Sequence, residues 1–438
     1  MNIDNLNEKQ KQAVLYNEGP LLILAGAGSG KTKVLTTKIA YLIQEKNIDP
    51  YNILAITFTN KAAKEMKDRV FNLIGDIAKY IQVSTFHSFG LRILRENCDV
   101  LGYDRNFVIM DSDDSLTVVK RILKEANYDP KVYNPRAIRN KISSCKNELM
   151  TPELYERYAT SEYEKIILEV YQKYEKKLQQ NNSVDFDDLL ILPIKLFREN
   201  PSILQNYQER FKYILIDEYQ DTNEAQYILT KLLSAKYRNI MVVGDDSQSI
   251  YSFRGANYKN ILNFEKDYKE AKTIMLEQNY RSTSNILDAA NDVIKHNKEK
   301  KDKKLWTENA TGEKIKYYRA FNERDEAQYA IRKIKELVNK NTQYKDIAIL
   351  YRTNAQSRIL EEEMLKENLP YRVVGSFYFY NRKEIKDLIA YLRLIHNSKD
   401  NISLTRVINT PKRGIGLKTI ENITNKADEL GISMYDAI

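Results

Sequence analysis

An apolar run, Leu21-Leu22-Ile23-Leu24, leads directly into Ala25-Gly26-Ala27-Gly28-Ser29-Gly30-Lys31-Thr32, and this junction constrains the fold more than any other feature of the chain. The run reads as a buried strand, the small residues as a loop, and the stretch from Lys31 as a helix. Glycines in the loop remove the Cβ atoms that would keep successive backbone N–H groups from converging on phosphate oxygens. The helix adds its positive dipole end to the same point. Lys31 can then reach the β- and γ-phosphates of a nucleotide, and the Thr32 hydroxyl can ligate Mg²⁺. The first position of the pattern is Ala25 rather than Gly, a small-for-small departure. A Gly-rich strand-to-helix turn that binds nothing is the competing reading, and the flanking strand argues against it. Only 14 glycines occur in 438 residues, so three within five positions require an explanation.

A nucleotide site needs a second strand bearing carboxylates, and Phe211-Lys212-Tyr213-Ile214-Leu215-Ile216-Asp217-Glu218 supplies one. Asp217 suits holding Mg²⁺, and Glu218 suits orienting and deprotonating an attacking water. Composition narrows the class further. A chain of 438 residues exceeds what one core supports, so two or more domains are expected. Lys+Arg at 69 against Asp+Glu at 60 gives a net charge of +9, which favours polyanionic partners without identifying one. Two cysteines, Cys98 and Cys145, exclude a disulfide framework and a CxxC zinc site and fit a reducing cytoplasm. The start MNIDNLNEKQ lacks a signal-peptide pattern, and no apolar run has the length of a membrane span.

From Asp217 the chain reads Asp-Glu-Tyr-Gln-Asp-Thr-Asn, and here it resembles the UvrD/PcrA/Rep group of superfamily 1 DNA helicases. The order of motifs on both sides extends the resemblance over nearly the whole chain. Leu6-Asn7-Glu8-Lys9-Gln10 resembles the adenine-reading segment, with Gln10 as the residue whose amide pairs with the base. Thr57 to Ala63 and Ser84 to Phe89 resemble DNA-contacting segments of the first domain, and Val184-Asp185-Phe186-Asp187-Asp188-Leu189 a further family block. Val243 to Ala256 resembles the segment that couples hydrolysis to the DNA track, and Leu276 to Ser282 the start of a second motor domain.

The resemblance implies ATP and Mg²⁺ as cofactors, with Lys31, Asp217, Glu218, Gln248 and Arg281 as catalytic residues. Ala25, Gly26, Ala27, Gly28, Ser29, Gly30, Lys31 and Thr32 would cradle phosphate, and Thr32 and Asp217 would hold the metal. Gln10, Lys33 and Tyr280 would surround the base, with Arg281 as an arginine finger. Lys33 stands where relatives usually have Arg, and an ammonium stacks on adenine less well than a guanidinium. Single-stranded DNA is commonly gripped by aromatics that stack bases and cations that follow phosphates. The resemblance nominates Phe58, Tyr251 and Phe253 for stacking, and Arg254, His87 and Asn354 for polar contacts. Each has a bland reading as a core or salt-bridge residue. The lysine-rich stretch Lys295 to Lys304 reads first as a solvated helix end or loop and second as a phosphate contact.

The expected architecture is α/β. A first RecA-like ATP-binding motor domain of P-loop type, with a parallel sheet, comprises residues 1–103 and 183–275, interrupted by a helical insertion at 104–182. Amphipathic helices are predicted over Asp113 to Ala126 and Glu162 to Leu178, the second burying Tyr163, Ile167, Val170 and Tyr174. The first part of a second RecA-like domain follows at 276–380, with strands near Ile315 to Tyr318, Ile347 to Tyr351 and Tyr371 to Val374. Arg352-Thr353-Asn354 and Gly375 to Phe379 match family blocks there. Residues 381–438 begin a helical accessory subdomain in which Thr410 to Gly416 resembles a duplex-contacting turn.

The family's later motifs, including a second γ-phosphate arginine, do not occur before Ile438, so the resemblance implies an amino-terminal portion that binds ATP and hydrolyses it poorly. The leading expectation is an ATP-dependent 3′ to 5′ DNA helicase or translocase of the cytoplasm. Its partners would be single-stranded DNA, single/double-strand junctions and repair or replication proteins, with no membrane. A nucleotide-gated single-strand DNA-binding module that does not translocate is the alternative. A nuclease-fused relative is disfavoured because no acidic metal-binding nuclease cluster is recognisable.

Overall fold

Strands that are apolar at nearly every position must be buried on both faces, which is the condition of a parallel sheet flanked by helices. The computed structural model describes residues 3–252, 255–297, 301–374 and 383–438, and it contains such a sheet. In chain order the strands are β1 Leu21–Ala25, β2 Ile53–Thr57, β3 Gln82–Thr85, β4 Val108–Ile109, β5 Ser183–Val184, β6 Tyr213–Ile216, β7 Ile240–Gly244 and β8 Lys272–Leu276. Six of them form one sheet in the order β3-β2-β6-β7-β1-β8, with β4 and β5 as a separate pair. All pairings are parallel. Because side chains alternate across a strand, Leu21, Ile23 and Ala25 enter one core with Val34, Leu35 and Ile39 of the helix Lys31–Gln44. Leu22 and Leu24 enter the other, beside Phe89, Ile93 and Ile216. The order β6-β7-β1 places three consecutive C-terminal strand ends along one edge of the sheet, where open α/β folds bind ligands.

The insertion is helical. Its long helices are Ser112–Glu125, Pro135–Asn147 and Glu162–Gln180, closed by capping boxes at Asp111 and Ser161. Ile167, Val170 and Tyr174 fill its core as their spacing predicts. Tyr163 does not: it lies in the first turn, 39 % exposed, stacked on Tyr133 with ring centroids 6.0 Å apart, because a helix end projects beyond the core that its middle covers. Lys146 is buried and forms ion pairs with Asp188 at 2.7 Å, Asp185 at 2.9 Å and Glu175 at 2.7 Å. Burial pulls its pKa down, but the three carboxylates overcome that and hold it well above the usual lysine value. A buried charge is tolerated only when so paired, and this pairing fastens the insertion to the chain just after β5, on its way back to the sheet.

The second half differs from expectation. Among the described residues, the stretches 315–318, 347–351 and 371–374 are not strands. Tyr317, Leu350 and Val374 are 87 %, 94 % and 78 % exposed. A strand exists only by pairing its backbone with a neighbour, and the described residues offer these segments none. The helices Glu323–Asn339 and Ser357–Lys366 nevertheless pack Ile331, Ile334 and Met364 into a small cluster with Ile347 and Ile349. The block Gly375 to Phe379 lies outside the described residues. Helices Lys383–His396, Asn401–Val407 and Leu417–Leu430 form the final segment. Among the described residues, no helix is long and apolar enough to cross a membrane.

One close approach fixes how a helix lies beneath the sheet. Pro193, inside the helix Asp188–Glu199, has no N–H to offer the Leu189 carbonyl one turn back. Gly90, in the helix Phe86–Asn97, faces that carbonyl, and a Cβ at Gly90 would stand 1.8 Å from the oxygen. Gly90→Ala is therefore expected to destabilise the fold by about 1–3 kcal/mol through forced separation of the two helices. Urea unfolding checks this, and an unchanged midpoint would show that the approach is not needed.

Candidate nucleotide and nucleic-acid site

The loop after β1 turns into the helix Lys31–Gln44 through Gly28 and Gly30, whose φ values of 68° and 83° favour glycine. Lys31 Nζ lies 3.4 Å from Glu218 Oε2. Glu218 follows β6 and adopts a left-handed backbone, φ 51° and ψ 43°. A non-glycine residue held there costs on the order of 1–3 kcal/mol and is concentrated at functional sites. Asp217 beside it is buried, accepts the Glu218 N–H at 3.0 Å, and has its pKa raised to about 6 by burial and then by the Glu218 charge. Asp221 is raised to about 6 by the same two causes.

Thr32 and Asp217 offer only hard oxygen donors, and among the described residues no group of three His, Cys, Asp or Glu gathers to hold a metal. That sparse set fits Mg²⁺, which is usually bound by one or two carboxylates together with phosphates and water.

Gln220 is the residue that sequence reasoning passed over. Almost fully buried, it donates from Nε2 to Glu218 Oε2 at 2.9 Å and accepts at Oε1 from the Asp245 N–H at 2.9 Å. Gly244 makes room for it, since a Cβ there would lie 2.5 Å from Gln220 Oε1. Gln248, in the turn after β7, donates to Asp245 Oδ2 at 2.6 Å. Lys31, Glu218, Gln220, Asp245 and Gln248 thus form one chain of polar contacts across three strand ends. The only signal in the sequence was the position of Gln220 within Asp217 to Asn223.

The three residues nominated for the base meet around one short segment. Gln10 accepts the Asn7 N–H at 3.1 Å and donates to Ser29 O at 2.9 Å. Asn7 Nδ2 donates to the Tyr280 hydroxyl at 2.7 Å, and Lys33 Nζ donates to Asn5 O at 2.8 Å. The Gln10 carboxamide is buried and occupied at both ends, so contact with a base would require it to exchange partners. Asn279 Nδ2 donates to Ala27 O at 2.6 Å and the Tyr280 N–H to Gly28 O at 3.0 Å, which seats the start of the second unit on the loop. A Cβ at Gly28 would stand 2.8 Å from Arg281 Cβ, so Arg281 roots its side chain at the loop as well.

Between sheet and insertion lies a cavity of about 1180 Å³, lined by Phe58, His87, Phe186 and Tyr251 among others. The Phe58 and Tyr251 rings are 5.1 Å apart. His87 stacks on Phe186 at 4.3 Å, and Phe186 is 57 % exposed, a flat face the sequence reading did not single out. Asn354 lies in a short turn outside the cavity lining. Phe253 and Arg254 lie outside the described residues.

A six-stranded parallel sheet with this loop, these paired acids and a helical insertion defines a RecA-like P-loop fold of the helicase motor type. Residues 6–269 match the UvrD/REP helicase N-terminal domain and residues 274–438 the UvrD-like helicase C-terminal domain. The chain belongs to the UvrD/Rep helicase family. Over 436 residues it is 55 % identical to the ATP-dependent DNA helicase PcrA of Staphylococcus aureus (strain NCTC 8325 / PS 47). It is 56 % identical to the PcrA of Staphylococcus epidermidis (strain ATCC 12228 / FDA PCI 1200). The alignments cover all of this chain, which spans about 60 % of the length of these curated relatives.

Burial lowers the His87 pKa to about 4, so the ring is neutral in the cavity at pH 7. A histidine depressed in the folded state binds fewer protons than when unfolded, so its contribution to stability is present above about pH 6.5 and is lost as pH falls toward 4. Among the three histidine resonances, one is expected to titrate near pH 4, and Phe186→Ala should move it toward 6.5 by opening the stack. A His87 midpoint that stays put in that variant would mean Phe186 does not shield it.

Proposed function

We propose that this chain is the ATP-binding and DNA-tracking part of an ATP-dependent DNA helicase or translocase that moves 3′ to 5′ along one strand. Its expected partners are single-stranded DNA and single/double-strand junctions, in repair or replication within the cytoplasm. One observation carries the reading: the contacts from Lys31 through Glu218, Gln220 and Asp245 reach Gln248, whose loop continues to Tyr251 in the cavity wall. In this reading a phosphate-responsive group is joined by short side-chain links as far as Gln248, and by the backbone of the same loop from there to an aromatic track.

In this reading the loop N–H groups and Lys31 bind the phosphates, and Thr32 and Asp217 would hold Mg²⁺, which would supply charge neutralisation. Lys31, drawn to phosphate, leaves Glu218 free to orient a water and take its proton. Gln248 responds to the γ-phosphate and Arg281 completes the site from the second unit. Gln10, Lys33 and Tyr280 hold the base. Phe58, Tyr251 and Phe186 stack successive DNA bases, and His87 supports Phe186. The motor domain would comprise residues 1–103 and 183–275, with 104–182 inserted, 276–380 opening the second motor domain and 381–438 the accessory subdomain.

Lys31→Ala is expected to weaken binding of a fluorescent ATP analogue. Glu218→Gln should leave that binding intact while lowering DNA-stimulated phosphate release by about 10²–10⁴-fold. Release at the unaltered rate in Glu218→Gln would remove it as the general base.

A further inference from the structure

Within the lysine-rich stretch read from sequence as a solvated helix end or loop, the Lys303 side chain is not solvated. Lys303 is 6 % exposed at its side chain, and its ammonium is inserted between the carboxylates of Asp245 and Asp246, themselves 4 % and 0 % exposed. The segment carrying it is held on both sides. The Lys301 N–H donates to Asp246 Oδ2 at 2.8 Å, and Lys301 Nζ pairs with Glu265 at 2.5 Å. The Trp306 N–H donates to Glu277 O at 3.1 Å and its carbonyl accepts from the Asn279 N–H at 2.8 Å. Leu305 lies over the Gly-rich loop so closely that a Cβ at Gly26 would stand 2.0 Å from its Cδ2. Asp245 is also the acceptor of Gln248 and, through its N–H, the neighbour of Gln220. The polar chain that starts at Lys31 therefore ends on Lys303, in the segment that follows Arg281 and the helix Ser284–Ile294.

We propose that Lys303 is a positioning residue that transmits phosphate occupancy at the Gly-rich loop to the second unit of the chain. The proposal rests on the ATPase reading. An anion at the loop competes with Glu218 for Lys31. Glu218 then exchanges its bond to Gln220, Gln220 shifts against the Asp245 N–H, and the Asp245 and Asp246 carboxylates carry Lys303, Leu305 and Trp306 with them. A γ-phosphate brings more negative charge to Lys31 than a diphosphate does, so the triphosphate drives the shift further.

The chain supplies its own reporter, because Trp306, three positions from Lys303, is its one tryptophan. With Mg²⁺ present, a non-hydrolysable ATP analogue is expected to change Trp306 fluorescence more than ADP does. Lys303→Met should bind the analogue within about threefold of the unaltered affinity by calorimetry yet lose the fluorescence change, and Lys303→Arg should restore it. An unaltered fluorescence response in Lys303→Met would overturn the proposal. So would joint loss of analogue binding and of cooperative unfolding in Lys303→Met, which marks a merely structural role. Analogue binding by the unaltered chain with no Trp306 response overturns this proposal alone. No analogue binding by the unaltered chain overturns the ATPase reading and the proposal with it.

Discussion

Everything in the site depends on parallel pairing of β6, β7 and β1. Parallel strands emit their C-terminal ends on one edge, and the order β3-β2-β6-β7-β1-β8 makes the three strands that carry chemistry immediate neighbours. Adjacent strands lie about 4.8 Å apart, so residues just past their ends fall within reach of one another's side chains. Lys31 thus meets Glu218, although they are separated by the whole insertion, and Gln220 spans from one strand end to the next. A crossover that moved β7 elsewhere in the sheet would leave the acids and the Gly-rich loop intact as motifs and break the contact chain between them.

Two buried charges hold the other parts to this sheet, and both are lysines between carboxylates. Lys146 fastens the helical insertion through Asp185 and Asp188, and Lys303 fastens the following unit through Asp245 and Asp246. Removing one partner of such a cluster leaves a buried charge uncompensated, typically a loss of about 3–5 kcal/mol. Such contacts are specific in geometry in a way that apolar packing is not. The two anchors use different carboxylates, Asp185 and Asp188 for the insertion and Asp245 and Asp246 for the Lys303 segment, so each part is fastened separately.

Much of this was legible beforehand because local patterns suffice where local forces decide. The loop from Ala25 to Thr32, the acids after β6 and the helix Glu162–Gln180 follow from glycine conformational freedom, apolar runs and helical spacing. Tyr163 shows the limit, since its spacing matched the core face while its place in the first turn put it outside. The segments 315–318, 347–351 and 371–374 show another limit. Their composition suits strands, but a strand requires a partner that composition does not supply. Lys303 was hidden for a related reason: Asp302 and Lys304 on either side of it are charged and exposed, and its partners lie more than fifty positions away.

The sequence by itself determined the class of fold, the family and which residue types stand at the phosphate loop, because these rest on short motifs whose chemistry is carried by adjacent residues. Only the tertiary structure decided that Gln220 bridges Glu218 to Asp245, that Phe186 stacks on His87 in the cavity wall, and that the Lys303 side chain is buried between two carboxylates. Each of those depends on which strand ends and helices are brought side by side. That arrangement follows from long-range parallel pairing and close packing, which no local stretch of residues encodes alone.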